Sequence, residues 1–228
     1  MRYSITGDNL QFVTMEIEDG ETVWAEAGAM VYMSGNIDMQ AELQGGLLGG
    51  IKRKLAGESF MVTNFTSRGG AGVVSFGGNA PGKIFAMDMT GREFIAQKDA
   101  FLCAEKGVSW EIAFQKRLGS TFFGGEGLIL EKVSGSGMAF FHACGDLVEI
   151  DLQPNQTYKI ATAHVVGWEP SVSYDIQAAG GIKTSVFGGE GFFLTTLTGP
   201  GKIVIQSMTL PQLANSLIPF LPQPSNSS

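Results

Sequence analysis

A short stretch occurs three times in the chain: Leu55-Ala-Gly-Glu58-Ser-Phe-Met-Val62, Phe123-Gly-Gly-Glu126-Gly-Leu-Ile-Leu130 and Phe187-Gly-Gly-Glu190-Gly-Phe-Phe-Leu194. Counting from each glutamate, the residue before it is Gly57, Gly125 or Gly189, and the residue three before it is apolar. Downstream, positions two to four are apolar, position eight is Thr66, Ser134 or Thr198, and position eleven is Gly69, Gly137 or Gly201. The spacings are 126 − 58 = 68 and 190 − 126 = 64 residues, the period of a supersecondary unit copied in tandem. Looser matches precede each motif at Val23-Trp24-Ala25, Phe94-Ile95-Ala96 and Lys159-Ile160-Ala161. Repeats are expected at about 1–82, 83–145 and 146–208, forming one all-β domain over 1–208.

A unit of about 65 residues buries too little surface to be stable alone, so the copies should stack around a shared core. Strand patterning supports this. Phe12, Val13, Met15 and Ile17 precede the turn signal Asp19-Gly20, and Thr22–Met33 is rich in β-branched and aromatic residues. Ile37, Met39 and Ala41 alternate with polar neighbours up to Leu43, and Lys83–Met89 and Leu147–Leu152 read as strands that open the second and third copies. The expected architecture is all-β, three β-sandwich-like repeats around a pseudo-threefold axis. A short C-terminal helix is expected within 209–228, carrying Leu210, Leu213, Leu217 and Leu221 with Pro211 in its first turn, followed by a disordered tail.

Composition narrows the function. Net charge is −7 and the basic residues form no stripe, so nucleic acid is not an expected partner. Charged residues make up 16% of the chain, below the roughly 25% usual for soluble domains, so part of the surface should be covered by another subunit or a membrane. A homo-oligomer is the first expectation. Cys103 and Cys144 belong to no paired-cysteine motif, which fits a reducing compartment while leaving one bridge open. The start of the chain has no signal-peptide core, and no apolar run reaches the length of a spanning helix, so a cytoplasmic location is expected.

Chemical motifs are scarce. Gly77-x4-Gly82-Lys83 comes within one residue of a phosphate-binding loop, but Ile84 stands where Ser or Thr would hold magnesium, and a strand pattern follows. His142 and Cys144 share a strand face without further ligands at metal spacing, and His164 stands apart. No cofactor is expected. Two further candidates remain. Glu58, Glu126 and Glu190 would form a carboxylate ring if the repeats bring them to an axis, although turn chemistry alone accounts for a Gly-Glu pair. Leu47, Leu48, Lys52, Arg53 and Lys54 combine apolar and basic side chains in a glycine-rich stretch, a pattern that reads first as a solvated loop with a basic tip and second as weak contact with an anionic membrane.

The run Gly45-Gly46-Leu47-Leu48-Gly49-Gly50-Ile51-Lys52-Arg53, leading into Gly57-Glu58-Ser59-Phe60 and echoed by Gly188-Gly189-Glu190-Gly191-Phe192, resembles the altered-inheritance-of-mitochondria twenty-four family. The resemblance spans Tyr3 to about Met208. It implies a β-sandwich body of the tryptophan-RNA-binding-attenuation-protein-like class and, for eukaryotic members, an association with mitochondrial inner-membrane organisation. It carries no catalytic residues. The expected function is a non-enzymatic scaffold or interaction protein with a protein or peripheral membrane partner. The alternative is a small-ligand or metal-dependent enzyme with its site between repeats.

Overall fold

A computed structural model describes residues 1–43, 61–116, 128–178 and 193–221. The chain is built of antiparallel strands. The first group is β1 (Arg2–Thr6), β2 (Phe12–Ile17), β3 (Thr22–Glu26), β4 (Met30–Met33), β5 (Ile37–Leu43), β6 (Met61–Ser67) and β7 (Gly72–Gly77). The second is β8 (Gly82–Asp88), β9 (Glu93–Gln97), β10 (Phe101–Glu105), β11 (Val108–Lys116), β12 (Leu128–Gly135) and β13 (Met138–Cys144). The third is β14 (Leu147–Leu152), β15 (Thr157–Ala161), β16 (Val165–Trp168), β17 (Ser173–Ala178), β18 (Phe193–Thr198) and β19 (Gly201–Gln206), followed by the helix α1 (Leu210–Leu217).

Each group pairs its strands in the same order. β2 and β4 flank β7 while β3 and β5 flank β6; β8 and β10 flank β13 while β9 and β11 flank β12; β14 and β16 flank β19 while β15 and β17 flank β18. The groups then join edge to edge, β3 to β10 and β9 to β16. Four sheets result: β1-β2-β7-β4, β5-β6-β3-β10-β13-β8, β11-β12-β9-β16-β19-β14 and β15-β18-β17.

Local chemistry explains the hairpins and bends. Gly69, Gly137 and Gly201, each eleven residues after its motif glutamate, have φ of +72°, +118° and +134°, which a residue with Cβ rarely adopts. A β-bulge interrupts the equivalent strands β4, β10 and β16, between Met30 and Tyr32, Phe101 and Cys103, and Val165 and Gly167. An extra residue there increases the local twist and bends the strand. The pairing also corrects the upstream alignment. Ala25 faces Thr63 and Ala96 faces Glu131, but the third group places Ile160 opposite Thr195, one residue earlier than the Ala161 match.

Three apolar clusters lie between successive sheets. Met15, Phe65, Phe76 and Phe140 fill the first, Trp24, Phe85, Phe94, Phe101 and Phe141 the second, and Leu130, Trp168, Leu197 and Ile203 the third. The two inner sheets are therefore apolar on both faces. β13 shows the consequence in its sequence, Met138-Ala-Phe-Phe-His-Ala-Cys144, with Phe140 in one cluster and Phe141 in the next. Each buried aromatic or aliphatic side chain contributes about 1.5–3 kcal/mol, which favours stacking over isolated sandwiches.

Among the described residues β4 pairs only with β7, and β15 only with β18. A closed threefold ring would join these two strands, making the first and fourth sheets continuous, but here the sheets remain separate. The helix α1 forms as expected, with Pro211 in its first turn and Thr209 capping it: the Gln212 N–H donates to Thr209 Oγ1 at 3.2 Å, and the Thr209 N–H donates to Gln212 Oε1 at 3.0 Å. Pro219 falls in a short 3-10 turn after it. No residue of α1 is buried.

Candidate interaction surface

The residues singled out by motif lie mostly beyond the described segments. Glu58, Glu126 and Glu190 are outside them, as are Leu47, Leu48, Lys52, Arg53 and Lys54. The Gly77–Lys83 stretch is described, and it joins β7 to β8, so a strand follows the glycines and the phosphate-loop reading is set aside. Cys103 and Cys144 are free, so the bridge left open by the sequence is not formed.

Both histidines have structural partners. The His142 ring lies against the loop before β8, so close that a Cβ on Gly78 would stand 2.3 Å from it. Burial pushes the imidazole pKa down, and a hydrogen bond to the Ala80 backbone opposes this only in part. His164 Nδ1 lies 2.8 Å from the Gln206 carbonyl oxygen and its Nε2 lies 3.3 Å from Gln212 Nε2, tethering α1 to β19. Among the described residues no three His, Cys, Asp or Glu side chains gather to hold a metal ion.

An open groove of about 430 Å³ lies where the first and second groups meet, lined by Ile17, Thr22, Val23, Glu105, Lys106 and Gly137 among others. Its acidic side chains are engaged with backbone. Glu105 Oε2 accepts from the Met138 N–H at 2.6 Å, and Glu21 Oε2 accepts from the Glu18 N–H at 2.8 Å. The Glu21 contact closes a turn, and the Glu105 contact ties the end of β10 to the start of β13.

Glu26 is an electrostatic anomaly away from the groove. Burial and the charge of Asp99 push its carboxyl pKa up to about 8, with Lys98 pulling the other way, so it is largely protonated at neutral pH. It ends β3, whereas Thr22 of the groove begins it, so about 13 Å of strand separates them. The sequence offered no signal for this, since a single acid after Val23-Trp24-Ala25 looks like the solvated end of a strand.

Among the described residues large apolar side chains are exposed at several places, Leu10, Met39, Met61 and Val148 among them. On β4, Met30, Val31 and Tyr32 are 36%, 55% and 46% exposed. On β15, Tyr158 is exposed, and beyond α1 Phe220 is 84% exposed beside Leu217 and Ile218. β4 is readable as an apolar strand, but its place at a sheet edge follows only from how the sheets stack. Among the described residues no helix is long and apolar enough to cross a membrane.

Fold and surface together define an all-β protein of stacked antiparallel sheets with apolar strand edges open to solvent. Residues 3–208 match the family model described as Mitochondrial biogenesis AIM24, and the chain belongs to that family. It is 33% identical to an uncharacterized protein of Streptococcus pyogenes serotype M6, over 99% of this chain and 93% of that protein. It also resembles a crystal structure of a Streptococcus pyogenes protein, with TM-score 0.79 and 30% identity, covering 96% of this chain and 99% of the other.

Proposed function

We propose that this protein is a non-enzymatic interaction protein, three sandwich repeats in series, that works by associating with further copies of itself. The observation that carries this is β4: four consecutive apolar residues at a sheet edge, with Met30, Val31 and Tyr32 all open to solvent. Such an edge presents unpaired backbone donors and acceptors beside apolar side chains, and native proteins normally shield it or use it. The enzymatic alternative finds less support, because Glu21 and Glu105 of the groove are committed to backbone amides.

Sedimentation velocity from nanomolar to tens of micromolar tests the proposal. Concentration-dependent species larger than one chain are expected. A single monomeric boundary throughout the range would rule the proposal out.

A further inference from the structure

We propose that β4 of one copy pairs antiparallel with β15 of a second copy, so that the joint made twice inside the chain continues from molecule to molecule. This rests on the self-association reading above and names the surface and its register.

The internal joints follow one rule. In the first, Cys103 of β10 faces Ala25 of β3 and Ala104 faces Trp24. In the second, Gly167 of β16 faces Ala96 of β9 and Trp168 faces Ile95. Cys103 and Gly167 are each the first paired residue after a bulge. Ala25 and Ala96 face Thr63 and Glu131, each five residues after a motif glutamate (63 − 58 and 131 − 126).

Among the described residues both halves of this joint are present without a partner, in the first and third groups. Tyr32 is the first paired residue after the bulge in β4. Ile160 faces Thr195, which is also five residues after its motif glutamate (195 − 190). The rule therefore sets Tyr32 opposite Ile160 and Met33 opposite Lys159, with no like charges facing each other.

Burial separates the used joints from the unused one. All four residues of β16 are buried, as are Val23, Trp24 and Ala25 of β3, whereas Met30, Val31 and Tyr32 of β4 and Thr157, Tyr158 and Lys159 of β15 are exposed. The β10 and β16 position is covered by the preceding group and the β3 and β9 position by the following one, whereas among the described residues β4 and β15 have no such neighbour. β4 is also held ready to pair, since the Tyr32 hydroxyl lies 3.1 Å from Thr14 Oγ1 and its ring meets Phe12 edge-on. Among the described residues β4 edges the first sheet and β15 the last without pairing to each other, and the occupant proposed for each is a second copy. A contact between two different surfaces repeats head to tail, giving a ring if the rotation closes and a fibre if it does not.

Two measurements on the full chain test the joint. Chains carrying Tyr32→Cys are mixed with chains carrying Ile160→Cys under mild oxidation, the native Cys103 and Cys144 being buried. Disulfide-linked dimers containing one of each are expected in the mixture, with neither variant linking to itself. In parallel, amide hydrogen exchange of the unsubstituted protein is followed with concentration, and Met30–Met33 and Thr157–Ala161 should both slow by at least about tenfold as larger species form. Association with exchange at both strands unchanged would overturn this joint while leaving self-association standing, as would Tyr32→Cys chains linking only to each other. A protein that stays monomeric would overturn both.

Discussion

Trp24 stacks on Phe101 across the joint between β3 and β10, with ring centroids 4.6 Å apart and planes 19° from parallel. The Trp24 indole N–H also donates to the Val108 carbonyl at 3.1 Å, so one side chain ties the first group of strands to the second. Trp24→Ala should cost about 3–5 kcal/mol by removing a large buried aromatic. Trp24→Phe should cost less and retain the stack. Chemical denaturation of both variants checks the order, and a Trp24→Ala loss under about 1 kcal/mol would show that the joint carries little stability.

Glu26 makes stability depend on pH with a definite sign. Its folded pKa of about 8 lies above the ordinary value of 4.5, so between these values the folded protein holds more protons than the unfolded chain. The stabilising effect is complete below pH 4.5 and is lost as pH rises through 8, at a slope of at most about 1.4 kcal/mol per pH unit. Glu26→Gln should flatten that slope and raise the melting temperature most at the alkaline end. An unchanged profile would mean the carboxyl is solvated. His142 acts in the opposite sense, because its lowered pKa withdraws stability as pH falls below 6.5.

Gly167 sits just after the bulge of β16, facing Ala96. A Cβ there would stand 2.4 Å from the Phe94 ring and 2.5 Å from the Ile95 carbonyl oxygen. The carbonyl belongs to backbone and cannot rotate away. Gly167→Ala should therefore destabilise by about 1–3 kcal/mol, measured as a lowered denaturation midpoint with unchanged slope.

Cys103 should be inert in the folded protein. It is fully buried, its thiol 3.9 Å from the Met15 sulfur, and burial pushes its pKa well above the usual thiol range. Its labelling by a thiol reagent should proceed at the rate of global opening and accelerate with denaturant. Fast labelling without denaturant would contradict the packing of the first cluster.

The apolar residues after α1 should contribute nothing to the stability of the single chain. Phe220 is 84% exposed, so Phe220→Ser should change the unfolding free energy by less than about 0.5 kcal/mol. A larger loss at high protein concentration alone would mark this segment as part of a contact between copies.

Much of the local structure was legible in the chain because strand and turn chemistry are short-range. Alternation placed β2 and β5, the glycines of positive φ marked the hairpins before β7, β13 and β19, and Pro211 marked the first turn of α1. The one-residue slip at Ala161 arose because alanine and isoleucine neighbours fit either register, and only pairing with β18 selects Ile160. What tertiary structure decided was which strands became interior. β4 and β16 occupy equivalent positions and are both apolar, yet one is exposed and the other buried, because a neighbouring group covers β16 and, among the described residues, none covers β4. The raised pKa of Glu26 has the same origin, since desolvation depends on what packs over a residue and not on its neighbours in sequence.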